Sequence, residues 1–463
     1  MPQADLAPSP AALRPEPTRL RGWGGGPGAT GWLLRPTQLD SVRAALELAR
    51  DRAWTGLLAR GMGRSYGDAA QLGGGLVVET TRLKGAQLDE DEGSVTASAG
   101  VTLAELLAEL VPAGWMVPVL PGTQHVSVGG AIAGDIHGKN HGTAGTFGSH
   151  VESLGLLTAE GEEVALGPGD ELFEATLGGM GLTGVILWAR IRLARVSSPF
   201  LSVDTDRVGD LDQALAALRA PGGPYRVAWL DLLGPRPGRG IVTRAEHLPG
   251  AAVPRGARGA ATVRSRATVP EWWPGALLRP LAVQAFNELR FRQAPVSERG
   301  QVEPIGSHMF PLDALAEWPR LYGWQGFVQY QLVVPYGAES ALEAVIAELR
   351  HAHIPCYLAV LKDFGEAGGP PLSFPIAGWT LTQDVPRAAP GLDAALNRCN
   401  EIVAEAGGRV YLSKDVHTRP DALRAMYPRL DEWRAVRDGA DPDGVWRSDL
   451  GVRTGLVDAE RVS

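Results

Sequence analysis

The stretch from Pro118 to Gly148 carries the densest group of residues that could do chemistry, and it reads PVLPGTQHVSVGGAIAGDIHGKNHGTAGTFG. Its polar members include Asp135, His137, Lys139, Asn140 and His141. Glycine lacks a Cβ atom and reaches dihedral angles that other residues avoid, so this stretch lets the backbone approach a flat or charged group. The composition favours a wall of backbone amides and polar side chains around a large cofactor. A loop-rich structural turn is the alternative.

A second glycine cluster, RGMGRSYGD from Arg60 to Asp68, follows a strand-like apolar run. Phosphate-binding loops form at such places because exposed backbone N–H groups converge there. Its spacing, G-x-G-x-x-x-G, differs from the dinucleotide fingerprint. The run GMGLTG from Gly179 to Gly184 does match G-x-G-x-x-G. However, a predicted helix precedes it and a predicted strand follows it, which reverses the context that the fingerprint requires.

His137 and His141 are four residues apart with Asp135 nearby, so a metal site is an alternative use of these side chains. Gly138 lies between the two histidines and weakens a helical i, i+4 arrangement, and the sequence offers no evident third ligand. We therefore predict no metal, and we expect His137 to make hydrogen bonds beside a cofactor.

Composition limits the class of protein. The chain has 463 residues, 44% hydrophobic and 21% charged, with a net charge of −8, which argues against a general nucleic-acid binder. The two cysteines, Cys356 and Cys399, make no disulfide framework, and no apolar run reaches the roughly 18–20 residues of a membrane span. We predict a cytoplasmic protein of two or three domains, with residues 1–20 as a disordered tail.

Helical patterns flank the glycine clusters. Apolar residues recur at helical spacing from Thr37 to Arg52, with Thr37 as the expected N-cap. The segment Thr102–Val111 combines a capping box, formed by Thr102 and Glu105, with one apolar face.

Alternating patterns predict the strands. The segment Gly326–Val334 alternates, which would put Gln329 and Gln331 on one face of a strand and Tyr330 on the other. Further strands are expected at Glu152–Thr158, Glu163–Leu166, Val185–Leu193, Arg226–Leu232, Tyr357–Lys362, Gly378–Asp384 and Arg409–Leu412.

The segment PEWWPGALLRPL, from Pro270 to Leu281, gathers tryptophans with apolar and basic residues, namely Trp272, Trp273, Leu277, Leu278 and Arg279. Such a patch is typical of contact with a membrane interface or a lipid substrate. A lid that packs the tryptophans inside is the alternative.

Taken together, three segments resemble the FAD-binding half of the vanillyl-alcohol-oxidase superfamily: ARGMGRSYGDAA (Ala59–Ala70), PGTQHVSVGGAIAGDIHGKNHGTAGTFGSHV (Pro121–Val151) and GGMGLTGVI (Gly178–Ile186). Within it, the chain is similar to the decaprenylphosphoryl-β-D-ribose 2′-oxidase family. The likeness continues through YRVAWLD (Tyr225–Asp231), AFNELRFRQAP (Ala285–Pro295), VQYQLVVP (Val328–Pro335), VLKDFG (Val360–Gly365), LSFPIAGWTL (Leu372–Leu381), YLSKD (Tyr411–Asp415) and MYPRLDEW (Met426–Trp433). It covers nearly the whole chain, and DIHGKNH is its most specific motif.

The resemblance implies an α+β protein with a two-subdomain, PCMH-type FAD-binding domain and a substrate (cap) domain built on an antiparallel sheet. The implied boundaries are residues 1–198 for the FAD-binding domain and 199–408 for the substrate domain. Residues 409–463 would form a C-terminal segment that returns to the FAD-binding domain.

The resemblance also implies FAD as the cofactor. Its implied contacts are Ala59, Arg60, Gly61, Met62, Gly63, Arg64, Ser65, Tyr66, Gly67, Pro121, Gly122, Thr123, Ser127, Val128, Gly129, Gly130, Gly134, Asp135, Ile136, His137, Gly138, Gly184, Val185, Ile186 and Tyr411. Convergent N–H groups can hold the pyrophosphate without lysines, which explains how an acidic chain could bind an anionic cofactor. Arg64 stands where many superfamily members carry the histidine that bonds covalently to FAD, so we predict non-covalent FAD.

Oxidation of an alcohol by a flavin needs a C–H directed at the flavin, a place for the hydroxyl proton, and exclusion of water. The resemblance implies the catalytic residues Lys414, Tyr66 and His137, and the substrate contacts Gln329, Gln331, Lys362, Lys139 and Thr382. Lys414 is the first candidate, because desolvation would lower its pKa and let it accept or relay the proton. A surface lysine in a Lys–Asp pair is the alternative reading of the residues alone.

The chain departs from the family at two positions. Thr380 stands where the family often has an asparagine, and Thr382 where its best-known members have a cysteine near the flavin, which excludes thiol chemistry at that position.

The implied function is oxidation of a secondary sugar alcohol, the 2′-hydroxyl of a polyprenyl-phosphoryl ribose, to a keto sugar. A partner reductase of the short-chain, NAD(P)H-dependent class and a peripheral contact with the inner face of the membrane are also implied. The alternatives are a soluble polyol or aldonolactone oxidase that uses oxygen, and a flavin-binding protein without a catalytic role.

Overall fold

The computed structural model describes residues 14–51, 53–275, 278–366 and 369–460. Its strands are β1 (Glu16–Leu20), β2 (Ala29–Leu34), β3 (Leu57–Arg60), β4 (Leu76–Glu79), β5 (Ala86–Asp89), β6 (Ser94–Ser98), β7 (Trp115–Met116), β8 (Val151–Leu157), β9 (Glu163–Leu166), β10 (Val185–Arg192), β11 (Ala194–Arg195), β12 (Phe200–Val208), β13 (Tyr225–Asp231), β14 (Arg239–His247), β15 (Ala267–Thr268), β16 (Ser297–Pro304), β17 (Leu315–Ala316), β18 (Phe327–Pro335), β19 (Leu358–Phe364), β20 (Gly378–Pro386) and β21 (Arg409–Val410).

Its helices are α1 (Leu39–Ala49), α2 (Leu103–Leu110), α3 (Val128–Ala133), α4 (His141–Ala144), α5 (Glu171–Thr176), α6 (Leu211–Arg219), α7 (Pro280–Gln293), α8 (Ile305–Met309), α9 (Glu339–His351), α10 (Leu392–Glu405), α11 (Pro420–Met426), α12 (Leu430–Ala440) and α13 (Asp449–Thr454). In the described part of the chain, none of them is both long and apolar enough to span a membrane. The α+β class predicted from the sequence is confirmed.

Two sheets form the N-terminal part of the molecule. One has the strand order β1-β2-β4-β3, in which β2, β4 and β3 are parallel and β1 is antiparallel to β2. The other is antiparallel, with the order β5-β6-β10-β8-β9. The two share a core, because Val42 and Leu46 of α1 are buried in one cluster with Leu76 of β4 and Leu157 of β8. This core supports the glycine-rich loop that follows β3, and a second core, in which Val128 and Ile132 of α3 pack with Leu154 of β8, supports the loop that precedes α3.

An eight-stranded antiparallel sheet spans residues 200–410, in the order β16-β12-β14-β13-β19-β20-β18-β21. One face is apolar and carries helices, as Tyr330 and Leu332 of β18 are buried with Leu342 of α9 and Leu396 of α10. Because successive side chains of a strand point to opposite faces, the polar residues between them lie on the other face. This confirms the alternation predicted for β18.

The C-terminal segment joins the two parts. Val410 of β21 pairs with Leu332 of β18, and further along the chain the Val445 carbonyl accepts a hydrogen bond of 2.8 Å from the Leu57 amide of β3. Arg453 then binds both carboxylate oxygens of Asp68 at 2.8 Å. The first glycine loop is therefore held in place partly by residues almost 400 positions away in the sequence.

Two local expectations are wrong. The disordered tail was expected to reach residue 20, but residues 16–20 form β1, whose edge is paired along its length with β2; residues 1–13 lie outside the described part. Helix α1 begins after Gln38, whose side chain makes no cap, and not at Thr37. In contrast, the capping box of Thr102 and Glu105 is confirmed.

Candidate active site

A cavity of about 650 Å³ lies between the glycine-rich loops and one face of the eight-stranded sheet. Its wall includes residues 61–66 of the first loop, residues 121–123 of the second loop, and side chains of β13, β14, β18, β19 and β20. Helix α7 contributes Phe286 and Arg290 to the same wall. The regions that the sequence singled out for cofactor and for substrate therefore line one continuous space.

The first glycine loop presents unused hydrogen-bond donors to this cavity. The backbone N–H groups of residues 61–65 donate no hydrogen bond to any residue in the described ranges. Gly61 has no room for a side chain, because a Cβ atom there would lie 2.2 Å from the Ser127 hydroxyl oxygen. Gly63 has a φ of +63°, which favours glycine. Converging free amides in a positive-φ loop make a site for a phosphate group.

The second glycine loop is fixed by partners from the sheet-forming half of the chain. Asp313 accepts hydrogen bonds of 2.8 Å from the Thr123 hydroxyl and from the Gln124 amide. The Gln124 side chain also exchanges two hydrogen bonds with the backbone of Val263. Gly122 takes part in none of these, lines the cavity, and has open space where a Cβ atom would lie. The loop is thus held rigidly while its glycine remains free for a ligand.

The face of the sheet that lines the cavity gathers side chains from four separate segments. Cross-strand pairing gives three rows: Trp229–Val360–Thr382–Gln331, Lys362–Thr380–Val333 and Leu358–Asp384–Gln329. Directly paired residues of an antiparallel sheet share a face, and their Cβ atoms lie roughly 5 Å apart. The predicted substrate contacts on β18, β19 and β20 are therefore neighbours.

His137 joins the second glycine stretch to this sheet face. Its Nε2 atom lies 3.0 Å from Nε2 of Gln331, and its Nδ1 atom lies 3.2 Å from Nζ of Lys362. The ring packs against Phe364 and Tyr411, with ring centres 4.8 and 5.4 Å away. Burial is the main cause that holds the pKa of His137 well below its usual range. The imidazole is therefore neutral at physiological pH.

Lys414 lines the cavity beside Tyr66, with Nζ 5.4 Å from the centre of the phenol ring. Its amine makes no hydrogen bond or ion pair with any residue that the structure describes. Burial lowers the pKa of Lys414, and the nearby carboxylate of Asp384 opposes that shift. An unpaired amine with a lowered pKa is suited to accept a proton from a hydroxyl group in the cavity.

Asp384 is a functional candidate that the sequence did not identify. The side chain is fully buried, Oδ1 accepts a hydrogen bond of 2.7 Å from Gln329, and Oδ2 has no partner in the described part of the chain. Burial raises the pKa of this carboxyl, and Asp384 in turn adds to the effect of burial in raising the pKa of Tyr66. Alternation within the run GWTLTQD would have put Asp384 and Thr382 on one face.

Most of the predicted contacts line the cavity: Ala59, Gly61, Met62, Gly63, Arg64, Ser65, Tyr66, Pro121, Gly122, Thr123, Ser127, Gly129, Gly130, Gly134, Ile136, His137, Gly138, Lys139, Gly184, Ile186, Gln329, Lys362, Thr382, Tyr411 and Lys414. Gln331 lies behind His137 and contacts the cavity only through that ring.

Five other predicted cofactor contacts lie behind the cavity wall and support it: Arg60, Gly67, Val128, Asp135 and Val185. Arg60 donates to the carbonyl groups of Arg21 and Ala70. A Cβ atom on Gly67 would lie 1.8 Å from the Asp415 carbonyl oxygen, so this glycine permits close packing. Asp135 accepts hydrogen bonds from Ser373 and from the Gly148 amide, and Val128 and Val185 are core residues.

Other lining residues were missed because they come from segments that the sequence gave no reason to bring together: Trp23, Met180, Trp229, Phe286, Arg290 and Trp318. Trp229 follows from the register of β13 with β19, which cannot be read from one segment alone. Phe286 lies in AFNELRFRQAP, a segment of the family likeness to which no role was assigned, and Trp318 lies outside every motif that the sequence offered.

The two histidines considered as metal ligands are used in other contacts. His137 is bound at both ring nitrogens as described above, and Nδ1 of His141 accepts a hydrogen bond of 3.2 Å from the Gly365 amide. Within the described ranges, no group of three or more His, Cys, Asp or Glu residues is arranged to hold a metal ion.

The cavity fits a flavin dinucleotide. The free amides of residues 61–65 provide donors for a pyrophosphate. The cavity wall beyond them combines apolar residues such as Ile136 and Ile186 with the polar cluster around His137 and Lys414, which suits a flat ring system bearing polar atoms on its edge.

Comparison with known proteins agrees with this fit. A family model for an FAD binding domain matches residues 32–167, and a model for D-arabinono-1,4-lactone oxidase matches residues 386–453. The chain is 38% identical over 454 residues to decaprenylphosphoryl-beta-D-ribose oxidase from Mycolicibacterium smegmatis, an alignment that covers 95% of this chain and 98% of that protein. It is also 38% identical to an uncharacterised Streptomyces coelicolor protein, over 77% of this chain and all of that protein. L-gulonolactone oxidase from Scyliorhinus torazame is 30% identical over 39% of this chain and 42% of its own length.

The fold and the site together define an FAD-dependent oxidoreductase with a PCMH-type cofactor domain. Over almost its full length, the chain belongs to the decaprenylphosphoryl-β-D-ribose oxidase family.

Proposed function

We propose that this protein oxidises the 2′-hydroxyl group of a polyprenyl-phosphoryl-β-D-ribose to a 2′-keto sugar. The observation that carries the proposal is the cluster of Lys414, Lys362 and His137 that lines one side of the cavity, in a chain related over 95% of its length to an oxidase of that sugar lipid. The unpaired amine of Lys414 offers a place for the hydroxyl proton.

When bound, FAD supplies the acceptor for the hydride that leaves the carbinol carbon. The proposed cofactor residues are those of the two glycine loops and of the Gly134–Gly138 stretch that line the cavity, with Ile186 and Tyr411. Lys414 accepts the hydroxyl proton, with Tyr66 and His137 as its catalytic neighbours. Gln329, Lys362, Lys139 and Thr382 bind the ribose from the sheet face, and Gln331 orients His137.

We also propose the domain division that the resemblance implies: an FAD-binding domain over residues 1–198, a substrate domain over residues 199–408, and a returning segment over residues 409–463. The strands of the eight-stranded sheet lie between residues 200 and 410, and the contacts of Val445 and Arg453 with the N-terminal part favour the returning segment.

A peripheral contact with the inner face of a membrane is the proposed route by which a lipid-linked sugar arrives. Trp272 and Trp324 have 78% and 85% of their surface exposed. Their loops touch, because a Cβ atom on Gly275 would lie 2.7 Å from the Cα atom of Gly323. Exposed tryptophans on adjacent loops are suited to a membrane interface. A vesicle-flotation assay of Trp272→Ser with Trp324→Ser is expected to show weaker association than the unchanged protein.

The keto product needs a reductase to reach the epimeric sugar, so a short-chain, NAD(P)H-dependent reductase is the proposed partner. FAD is proposed to be non-covalent, because Arg64 lies over Trp23, with Cζ 3.6 Å from the ring centre, and its guanidinium, which is protonated at neutral pH, is not a nucleophile that could bond to the flavin. Acid precipitation of the protein should leave the yellow colour in the supernatant, and colour on the precipitate would contradict this point.

The test of the main proposal is an anaerobic flavin spectrum of the holoenzyme before and after addition of farnesylphosphoryl-β-D-ribose. Loss of the oxidised flavin band, with a keto sugar detected by mass spectrometry, is the expected result. A band that persists in protein with a full complement of flavin would reject this substrate.

The second candidate is an oxidase of small polyols or aldonolactones that uses oxygen. It is favoured by the match of residues 386–453 to the D-arabinono-1,4-lactone oxidase model. Release of hydrogen peroxide with alditols or aldonolactones, and no bleaching by the lipid-linked ribose, would select this candidate.

A further inference from the structure

Arg290 of helix α7 lines the cavity without a partner. Its guanidinium group makes no hydrogen bond and no ion pair with any residue in the described ranges. It makes a cation–π contact with Trp229, with Cζ 5.1 Å from the ring centre. Arg290 is solvent-exposed where it lines the cavity, and its guanidinium is charged at neutral pH. A cation that lines the cavity and has no anionic partner among the described residues is suited to an anionic ligand.

The acidic residues nearest to Arg290 along the helix and sheet are already paired. Glu288 binds Arg239 at 2.7 Å and Arg292 at 2.5 Å. Asp231 binds Arg239 at 2.8 Å and accepts a hydrogen bond of 2.9 Å from Asn287. These contacts fasten α7 to strand β13 and so fix the part of the helix that carries Arg290. Neither carboxylate pairs with the Arg290 guanidinium.

The position of Arg290 is defined by the sheet beneath it. Trp229 begins the cross-strand row that continues through Val360 to Thr382. Because neighbouring strands lie about 4.8 Å apart, Trp229 is roughly 10 Å from Thr382. Thr382 lies in the polar region where we propose that the sugar is oxidised. A phosphorylated pentose and an extended arginine side chain can together span this distance.

The same helix face is apolar next to the charge. Phe286 precedes Arg290 by four residues, so the two side chains are neighbours on one face of α7. Phe286 lines the cavity while 60% of its surface is exposed, and Leu289 and Leu281 of the same helix are 55% and 79% exposed. An amphiphile that carries an anion beside a hydrocarbon chain matches this pairing of charge and apolar surface.

We propose that Arg290 binds the phosphodiester anion of the lipid-linked sugar, with Phe286 contacting the first isoprene units; this inference rests on the proposed function. Arg290 is thereby the residue that distinguishes a phosphoryl-linked sugar from a neutral sugar or polyol. Nothing in the reaction itself requires it, because the lysines near Thr382 are separate from it.

The first experiment measures binding without turnover. Calorimetry of the holoenzyme with geranyl phosphate, geraniol and inorganic phosphate is compared among the unchanged protein, Arg290→Gln, Arg290→Lys and Arg292→Ala. Since a charge-assisted hydrogen bond is lost, Arg290→Gln should lower the affinity for geranyl phosphate roughly tenfold or more and leave the affinity for geraniol unchanged. The affinity of Arg290→Lys for geranyl phosphate should lie between those of the unchanged protein and Arg290→Gln. Arg292→Ala, whose partner is the exposed Glu288, should stay near the unchanged value.

The second experiment measures the anaerobic bleaching of the flavin by farnesylphosphoryl-β-D-ribose and by the neutral farnesyl β-D-ribofuranoside. Arg290→Gln should raise the half-saturating concentration of the phosphodiester only, with the limiting bleaching rate retained. Equal binding of geranyl phosphate by Arg290→Gln and the unchanged protein would overturn the inference. If inorganic phosphate binds as tightly as geranyl phosphate, the proposed contact of Phe286 with the isoprene units is overturned.

The two proposals can fail separately. Arg290-dependent binding of geranyl phosphate without any bleaching by the ribose lipid rejects the proposed function and keeps the anion site. Bleaching that is equally efficient in Arg290→Gln keeps the proposed function and rejects the anion site.

Discussion

The amine of Lys362 lies 3.2 Å from Nδ1 of His137; the histidine is buried and the lysine is half-buried. The proton positions follow from the next contacts. The Thr380 hydroxyl donates to the Leu332 carbonyl at 2.8 Å, so its oxygen accepts from Nε2 of Gln331 at 2.9 Å. This fixes the Gln331 amide, whose second N–H then donates to Nε2 of His137. With the Gln331 amide in this orientation, Nδ1 carries the proton of the neutral ring and directs it at the lone pair of an uncharged Lys362 amine.

A neutral Lys362 predicts an unusual order of tolerance at this position. Burial lowers the pKa of Lys362 well below its usual range, and the charge of Lys414 adds to this effect. Lys362→Met should therefore be tolerated better than Lys362→Arg, because a guanidinium cannot accept from Nδ1 and brings a permanent charge. The expected difference is about 1–3 kcal/mol in the free energy of unfolding, measured by thermal or urea denaturation. Arginine tolerated better than methionine would show that the native lysine is charged.

Lys414→Ala should slow the oxidation of the alcohol strongly while leaving FAD bound. The unpaired amine is the group in the cavity best suited to take the hydroxyl proton. Loss of a general base lowers rates by about 10²–10⁴-fold, so we expect that fall in the anaerobic bleaching rate. Lys84→Ala is the matched control, since Lys84 is a surface residue paired with Glu105. Unchanged bleaching in Lys414→Ala would remove this residue from the mechanism.

Asp384→Asn should move the pH dependence of bleaching to lower pH. The negative charge of Asp384 raises the pKa of Lys414 against the effect of burial, so its removal lets that pKa fall. Bleaching rises as Lys414 loses its proton, and this rise should therefore occur at a lower pH in the variant. Asparagine can still accept the hydrogen bond from Gln329, which preserves the packing.

The control for this prediction is Asp393→Asn, because that carboxylate is 88% exposed. Its pH profile should match that of the unchanged protein. A profile of Asp384→Asn that moves to higher pH, or does not move, would contradict the assigned coupling.

Local patterns were sufficient for the elements but not for the whole site. The capping box at Thr102, the β8–β9 hairpin and the face shared by Gln329 and Gln331 depend on a few consecutive residues, and each was predicted. The pairing of Asp384 with Gln329 and the place of Trp229 beside Val360 depend on register between strands far apart in the sequence, although alternation within GWTLTQD alone would have put Asp384 on the face of Thr382. The lysine–histidine contact was also unpredicted, since it needs residues 225 positions apart to meet.

The errors have similar causes. Thr37 is a good capping residue by type, but the N-cap of helix α1 is the next residue, Gln38, whose side chain makes no capping hydrogen bond. Residues 16–20 look polar and proline-rich, yet pairing with β2 gives them backbone hydrogen bonds that outweigh weak strand propensity.

Gly61→Ala should weaken FAD binding without unfolding the protein. The added Cβ atom would lie 2.2 Å from the Ser127 hydroxyl, so either that hydroxyl must rotate and give up its hydrogen bond from the Gly130 amide, or the two loops must separate. Strain of this kind costs about 1–3 kcal/mol, which corresponds to roughly 5- to 150-fold in affinity. The flavin-to-protein absorbance ratio after dialysis measures the loss. Gly439→Ala on helix α12, where a Cβ atom meets nothing within 4 Å, is the control and should keep its flavin. Full retention of flavin by Gly61→Ala would show that the loop tolerates a Cβ atom at this position.

Thr382→Cys should create a thiol target in the cavity without changing the chemistry. Thr382 lines the cavity on the sheet face, whereas Cys356 and Cys399 are buried and burial raises the pKa of both thiols, that of Cys399 to about 12. The unchanged protein should therefore resist iodoacetamide, because alkylation requires an accessible thiolate. Thr382→Cys should bleach normally with the lipid-linked ribose, lose activity on alkylation, and be protected by that substrate. Thr382→Ser is the control and should remain resistant. Inactivation of Thr382→Ser to the same extent would mean that alkylation acts elsewhere, and slow bleaching by Thr382→Cys before alkylation would mean that the hydroxyl itself orients the sugar.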